Sequence, residues 1–152
     1  MTNLLGCQLT GNACARTIGF VKTIRDGQPT TPIVIISPIF SAARENDIAA
    51  MYDTMSGEGV EAFKEGFAFT LVEMRAALKD MVAVLRRAGD TRIWYRDGLS
   101  LFDKPDADAG MLPDDLHPDG AGYELMGRRF ASLEFGKTGR LLPGRMPGGS
   151  SL

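Results

Sequence analysis

The chain predicts an α/β protein built on a parallel sheet, and three observations carry that expectation. First, Ile33-Val34-Ile35-Ile36-Ser37 is a continuous run that is almost entirely β-branched. Such a run suits a strand covered on both faces rather than one alternating between core and water. Second, Leu71, Met74, Leu78, Met81, Val82 and Leu85 recur at helical spacing within Phe69 to Ala88. Third, the predicted order is helix, strand, long loop, helix, strand, loop, helix. That alternation calls for right-handed crossovers between parallel strands.

Composition narrows the class. The 152 residues suffice for one domain with a sizeable core, and apolar and charged contents of 44% and 24% are ordinary for a globular protein. A net charge of −2 draws the chain neither to nucleic acid nor to an acidic membrane surface. The pairs Arg86-Arg87 and Arg128-Arg129 read as solvated helix faces. Cys7 and Cys14 are too few and too irregular for a disulfide framework or a metal knuckle, and are read as reduced. No apolar run approaches the ~20 residues of a membrane span. With no secretion signal at the start, a cytoplasmic location is the default expectation.

Taken in order, Met1 to Asn12 is short and polar, with Asn3-Leu4-Leu5 fitting only the end of a strand. Asn12 to Asp26 predicts a helix with Asn12 as N-cap, Ala13, Thr17, Phe20, Val21 and Ile24 on its inner face, and Gly27 as its stop. Pro29 and Pro32 set an extended approach to the strand at 33–37, which Pro38 closes. Residues 40–67 read as an irregular loop, with helical character around Ala49 to Met55. The helix over 69–88 follows, stopped by Gly89, with Arg86 and Arg87 in its last turn. Thr91 to Arg96 is the second strand. Leu99 to Met111 is a connection whose Asp103, Asp106 and Asp108 lack the regular spacing and closing glutamate of a calcium loop, so no metal site is expected there. A helix over 119–133 carries Gly122, Met126, Phe130 and Leu133 on its apolar stripe. Residues 136–152, rich in Gly and Pro, are expected to be a disordered tail beyond a domain spanning 1–135.

The chemistry concentrates in Leu112-Pro113-Asp114-Asp115-Leu116-His117-Pro118-Asp119-Gly120-Ala121-Gly122-Tyr123. It holds the chain's only histidine, with a carboxylate three residues before it. A neutral imidazole takes a proton from a hydroxyl, and a carboxylate on its other nitrogen fixes the tautomer and steadies the imidazolium. An Asp side chain folds back over a turn readily enough to make that contact locally. A plainer alternative is a loop histidine bonded to a helix-capping aspartate. Asp115 is a second candidate acid if the loop turns differently.

The run D-D-L-H-P-D-G-A-G-Y resembles the last conserved block of the SGNH (GDSL-type) hydrolases. A second stretch, Gly19 to Gly27, then Thr31-Pro32-Ile33-Val34 and Ser37-Pro38-Ile39, is similar to the middle of bacterial members of that family. The resemblance covers about residues 3–134. It implies a three-layer α/β/α fold of flavodoxin-like type with the N-terminal strand missing. It also implies hydrolysis of small-molecule esters through an acyl-serine, with His117 as base and Asp114 as its acid partner. No cofactor or metal is implied. Asn3 falls near the family's oxyanion-binding Asn, with Met1 where the family has Gly; Asn12 is the competing assignment.

The family's Gly-Asp-Ser nucleophile block is absent, so the nucleophile is unknown. None of Ser37, Ser41, Ser56, Ser100, Ser132, Ser150 and Ser151 stands in a strand-to-helix nucleophile turn. The expectation is therefore an esterase truncated at its start, a non-catalytic binding homologue, or a half completed by another chain. An open sheet edge would favour a homodimer or a complementing chain as partner.

Overall fold

The computed structural model describes residues 12–47 and 69–141. The expectations for Asn3, Cys7, the helical stretch near 49–55, Ser56, Ser150 and Ser151 lie outside these residues.

The described chain is an α/β fold. Helix α1 (Asn12–Gly27) leads to strand β1 (Ile33–Ile36) and the short helix α2 (Ala42–Glu45). Helix α3 (Leu71–Arg87) leads to strand β2 (Ile93–Arg96), and α4 (Gly120–Phe135) closes the order. Between β2 and α4, the connection expected at 99–111 is a succession of single helical turns at Gly98–Ser100, Lys104–Asp106 and Ala107–Met111. Lys104 pairs with Asp108 and Arg129 with Asp106, so two of the three aspartates answer local cations.

The strands pair in parallel, with Ile33 opposite Ile93 and Ile36 opposite Arg96. Ile33 donates to the Arg92 carbonyl and Ser37 to that of Arg96, so the odd residues of β1 bond towards β2. The odd side chains of both strands face α1 and α3. There Ile18, Val21, Ala77, Met81, Val82, Leu85 and Ile93 form the core, with Ile33, Ile35 and Tyr95 packed against it. The opposite face meets α4, where Arg96 Nε donates to the fully buried Glu134 at 2.6 Å.

Local chemistry explains the element ends. Thr70 and Glu73 form a reciprocal capping box at the start of α3, with Glu73 N–H to Thr70 Oγ1 at 3.2 Å and Thr70 N–H to Glu73 Oε2 at 2.9 Å. Gly89 ends that helix with φ +102°, a conformation that costs glycine little. The α1 face differs from expectation: Ile18 is buried and Phe20 is 66% exposed. Two residues from Ile18 is about 200° around a helix, so the two cannot share a face. Arg25, one turn past Val21, joins the end of α1 to both strand beginnings. It grips Asp90 through Nε at 2.8 Å and a second nitrogen at 3.1 Å, and donates to the carbonyls of Thr31 and Arg92.

Two further expectations change. β1 is half-buried rather than enclosed, and Ile36 is exposed, because among the described residues only β2 pairs with it. Residues 136–141, expected in the tail, fold back on the domain. Leu141 donates to the Glu134 carbonyl at 2.9 Å, and Arg140 reaches the Tyr95 carbonyl at 3.1 Å. The rest of the tail lies outside the described residues. Among those described, no helix is long and apolar enough to cross a membrane.

Candidate active site

The candidate residues lie on the loop between Met111 and α4. The Met111 carbonyl accepts the Asp119 N–H at 2.9 Å and closes the loop at its base. Leu112 and Pro118 are buried on either side, so the loop is pinned at both feet. Asp119 then caps α4 by accepting the Gly122 N–H at 2.8 Å. Gly122 is needed there, because a Cβ would stand 2.9 Å from Pro118 Cβ and 3.2 Å from the buried Phe102 ring.

Within the loop, Asp114 folds over its own turn. Its Oδ1 accepts the backbone N–H groups of Leu116 at 3.0 Å and His117 at 2.6 Å. Its Oδ2 lies 2.8 Å from His117 Nδ1. The His117 backbone donor, then the His117 ring, then the Leu116 amide hold this carboxyl well below the usual carboxylate range. An ionised carboxylate only accepts, so the proton between the two side chains sits on Nδ1. In the neutral ring Nε2 then carries the lone pair, the arrangement a general base requires. The side chains of His117 and Asp114 are 66% and 55% exposed, and Nε2 has no hydrogen-bond partner among the described residues.

The structure separates the two candidate acids. Asp114 meets the imidazole. Asp115 turns away to the segment after β1, where its carboxylate accepts the N–H groups of Ala42 at 3.0 Å and Ala43 at 2.7 Å. Its carbonyl accepts the Ser41 hydroxyl at 2.7 Å. The loop is thus held beyond the carboxyl end of the parallel pair, where working groups gather in open α/β sheets. Periodicity and motif spacing could not reveal this contact; the doubled aspartate was its only trace in the sequence.

The serines at the same end are structural. Ser37 Oγ accepts the Gly98 N–H at 2.9 Å and the Tyr95 hydroxyl at 3.0 Å. Ser41 is bonded to Asp115, and Ser100 Oγ donates to the Asp97 carbonyl at 2.6 Å. Among the described residues no serine is hydrogen-bonded to His117. A further residue missed by sequence reasoning is Arg75. It is 6% exposed, pairs with Glu45 at the end of α2, and donates to the Pro38 carbonyl at 3.3 Å.

No protein-family model and no curated protein matches the chain. Among solved structures, the chain is similar to a salicylyl-acyltransferase from a tetracycline biosynthetic pathway, with a TM-score of 0.53 and 24% identity. The match covers 76% of this chain and 29% of that one, so the chain spans less than a third of the other's length. The likeness is one of fold.

Proposed function

We propose that this chain carries the acid–base part of an SGNH-type acyl-transfer site, acting on small-molecule esters. The observation that carries this reading is the 2.8 Å contact between Asp114 Oδ2 and His117 Nδ1, which leaves Nε2 as the basic nitrogen. In the reaction, Nε2 takes the proton of a serine hydroxyl as its oxygen attacks the ester carbonyl. Asp114 steadies the imidazolium. The proton then passes to the departing alcohol oxygen, leaving an acyl-serine that water or another hydroxyl cleaves. The fold neighbour is by name an acyltransferase, which accords with either acceptor. The nucleophile is unassigned, since Ser37, Ser41 and Ser100 are bonded elsewhere; Asn3, outside the described residues, is the oxyanion candidate of this chain, with Asn12 the competing one. Proton transfer and acyl transfer of this kind need no metal or organic cofactor. The reading carries a cytoplasmic location and no nucleic-acid partner.

A second reading concerns the partner. The outward carbonyls of β2, Ile93 and Tyr95, are met by the guanidinium groups of Arg86 at 2.7 Å and Arg140 at 3.1 Å. The outward amides of β1, at Val34 and Ile36, face no described strand. A blunted β2 edge, with no described strand beyond β1, favours a further strand on β1, from a complementing chain or a second copy. Light scattering after size-exclusion chromatography tests the second copy.

The functional test is hydrolysis of a short-chain nitrophenyl ester by the purified chain beside His117→Ala and Asp114→Asn. General-base catalysis contributes about 10²–10⁴-fold, so the variants should fall to the buffer rate while the parent exceeds it. A parent rate above buffer that His117→Ala leaves unchanged would remove the reading; buffer-level rates in both would place the nucleophile on a complementing chain.

A further inference from the structure

Among the described residues, Asp115 alone of the non-glycines has a positive φ, +57°. That left-handed conformation is tolerated by Gly, and by Asn and Asp better than by other side chains. It turns the chain so that the amides of Leu116 and His117 point back at Asp114. It also aims the Asp115 carboxylate at Ala42 and Ala43. With the Ser41 hydroxyl on its carbonyl, Asp115 makes three close bonds to a segment more than 70 residues earlier. That segment is itself held: Phe40 donates to the Phe102 carbonyl at 3.2 Å, and Glu45 pairs with buried Arg75. By contrast, the hydrogen bonds of the Asp114 and His117 side chains stay within their own turn among the described residues.

The geometry points to Asp115 as the positioning residue of this site: it clamps the Asp114–His117 turn to the start of α2, the segment after β1, and so sets where Nε2 stands relative to the sheet. This rests on His117 being the working base, but the test needs no turnover. His117 is the only histidine, so the ring nitrogens of the uniformly ¹⁵N-labelled full chain give one unambiguous pair of resonances.

In the parent the neutral ring should be the Nδ1–H tautomer, whereas an imidazole free in water favours Nε2–H. Asp114→Asn, the control, should move the ring towards Nε2–H. Asp115→Gly keeps the backbone freedom and removes the clamp. It should shift the population towards Nε2–H and speed amide exchange at Ala42 and Ala43 about tenfold, the effect of losing one net hydrogen bond. Asp115→Asn, which keeps an acceptor oxygen and tolerates the same φ, should stay predominantly Nδ1–H. Ser41→Ala, which leaves the carboxylate clamp intact, gives a second reading should Asp115→Gly fail to fold, and should produce a smaller shift in the same direction. A parent ring already in the Nε2–H form, or parent-like tautomers in both Asp115→Gly and Ser41→Ala, would overturn the assignment. Loss of ester hydrolysis in His117→Ala bears on the function alone, so the two readings fail separately.

Discussion

Ser37 Oγ accepts the amide N–H of Gly98 at 2.9 Å, joining the residue that follows β1 to the loop that leaves β2. The same oxygen receives the Tyr95 hydroxyl at 3.0 Å, so both of its acceptor positions are engaged in a nearly closed site. A serine held this way is a clasp rather than a nucleophile. Ser37→Ala should lower stability by about 1–2 kcal/mol, by leaving the Gly98 and Tyr95 donors without their acceptor. The His117-dependent ester rate should stay unchanged. Urea melts and nitrophenyl-ester kinetics on one preparation check both halves.

Gly98 tolerates no side chain. A Cβ would fall 2.3 Å from the carbonyl oxygens of both Ser37 and Pro38, which are backbone and cannot swing aside. Gly98→Ala should cost about 3 kcal/mol, the upper range for overpacking. A lowered urea midpoint with an unchanged slope is the expected outcome.

The pair of Arg96 and Glu134 bridges the sheet and α4, with side-chain exposures of 16% and 0%. Removing one partner strands a charge in a closed space. Arg96→Met should therefore cost about 3–5 kcal/mol. Arg96→Met with Glu134→Leu should recover most of that loss, since two apolar side chains of similar volume need no partner. A double-mutant cycle in urea measures the difference.

Acid should loosen the junction of α1 with the strands. Burial pushes the Asp90 carboxyl up, but the hydrogen bonds from Arg25 and the Arg92 amide, with the charges of Arg25 and Arg86, bring it below its ordinary value. A depressed carboxylate contributes stability that is full above its unfolded pKa of about 3.9 and is lost as pH falls through the lower folded value. Asp90→Asn should cost about 2 kcal/mol near neutrality and flatten the stability curve within that acid window. Denaturation midpoints of parent and variant, measured from neutrality into acid, test the sign.

The features legible in the residues alone are those that depend on near neighbours along the chain. The period of Leu71 to Leu85 marks α3, and the branched run from Ile33 to Ile36 marks β1. The pairing of Asp114 with His117 spans three positions and is closed by a single turn, so its spacing could be read directly. The Thr70 and Glu73 capping box was equally local and could have been read from its T-x-x-E spacing. The choice between Asp114 and Asp115 rests on contacts distant along the chain, because Asp115 is oriented by backbone amides 72 and 73 residues away. The fold also brings in Arg140, 45 residues from the Tyr95 carbonyl it covers, and buries Ile18 rather than Phe20. Such contacts leave no periodic trace. They form when crossovers bring distant segments to one end of the sheet, where unpaired amides and carbonyls take whatever partners the fold supplies.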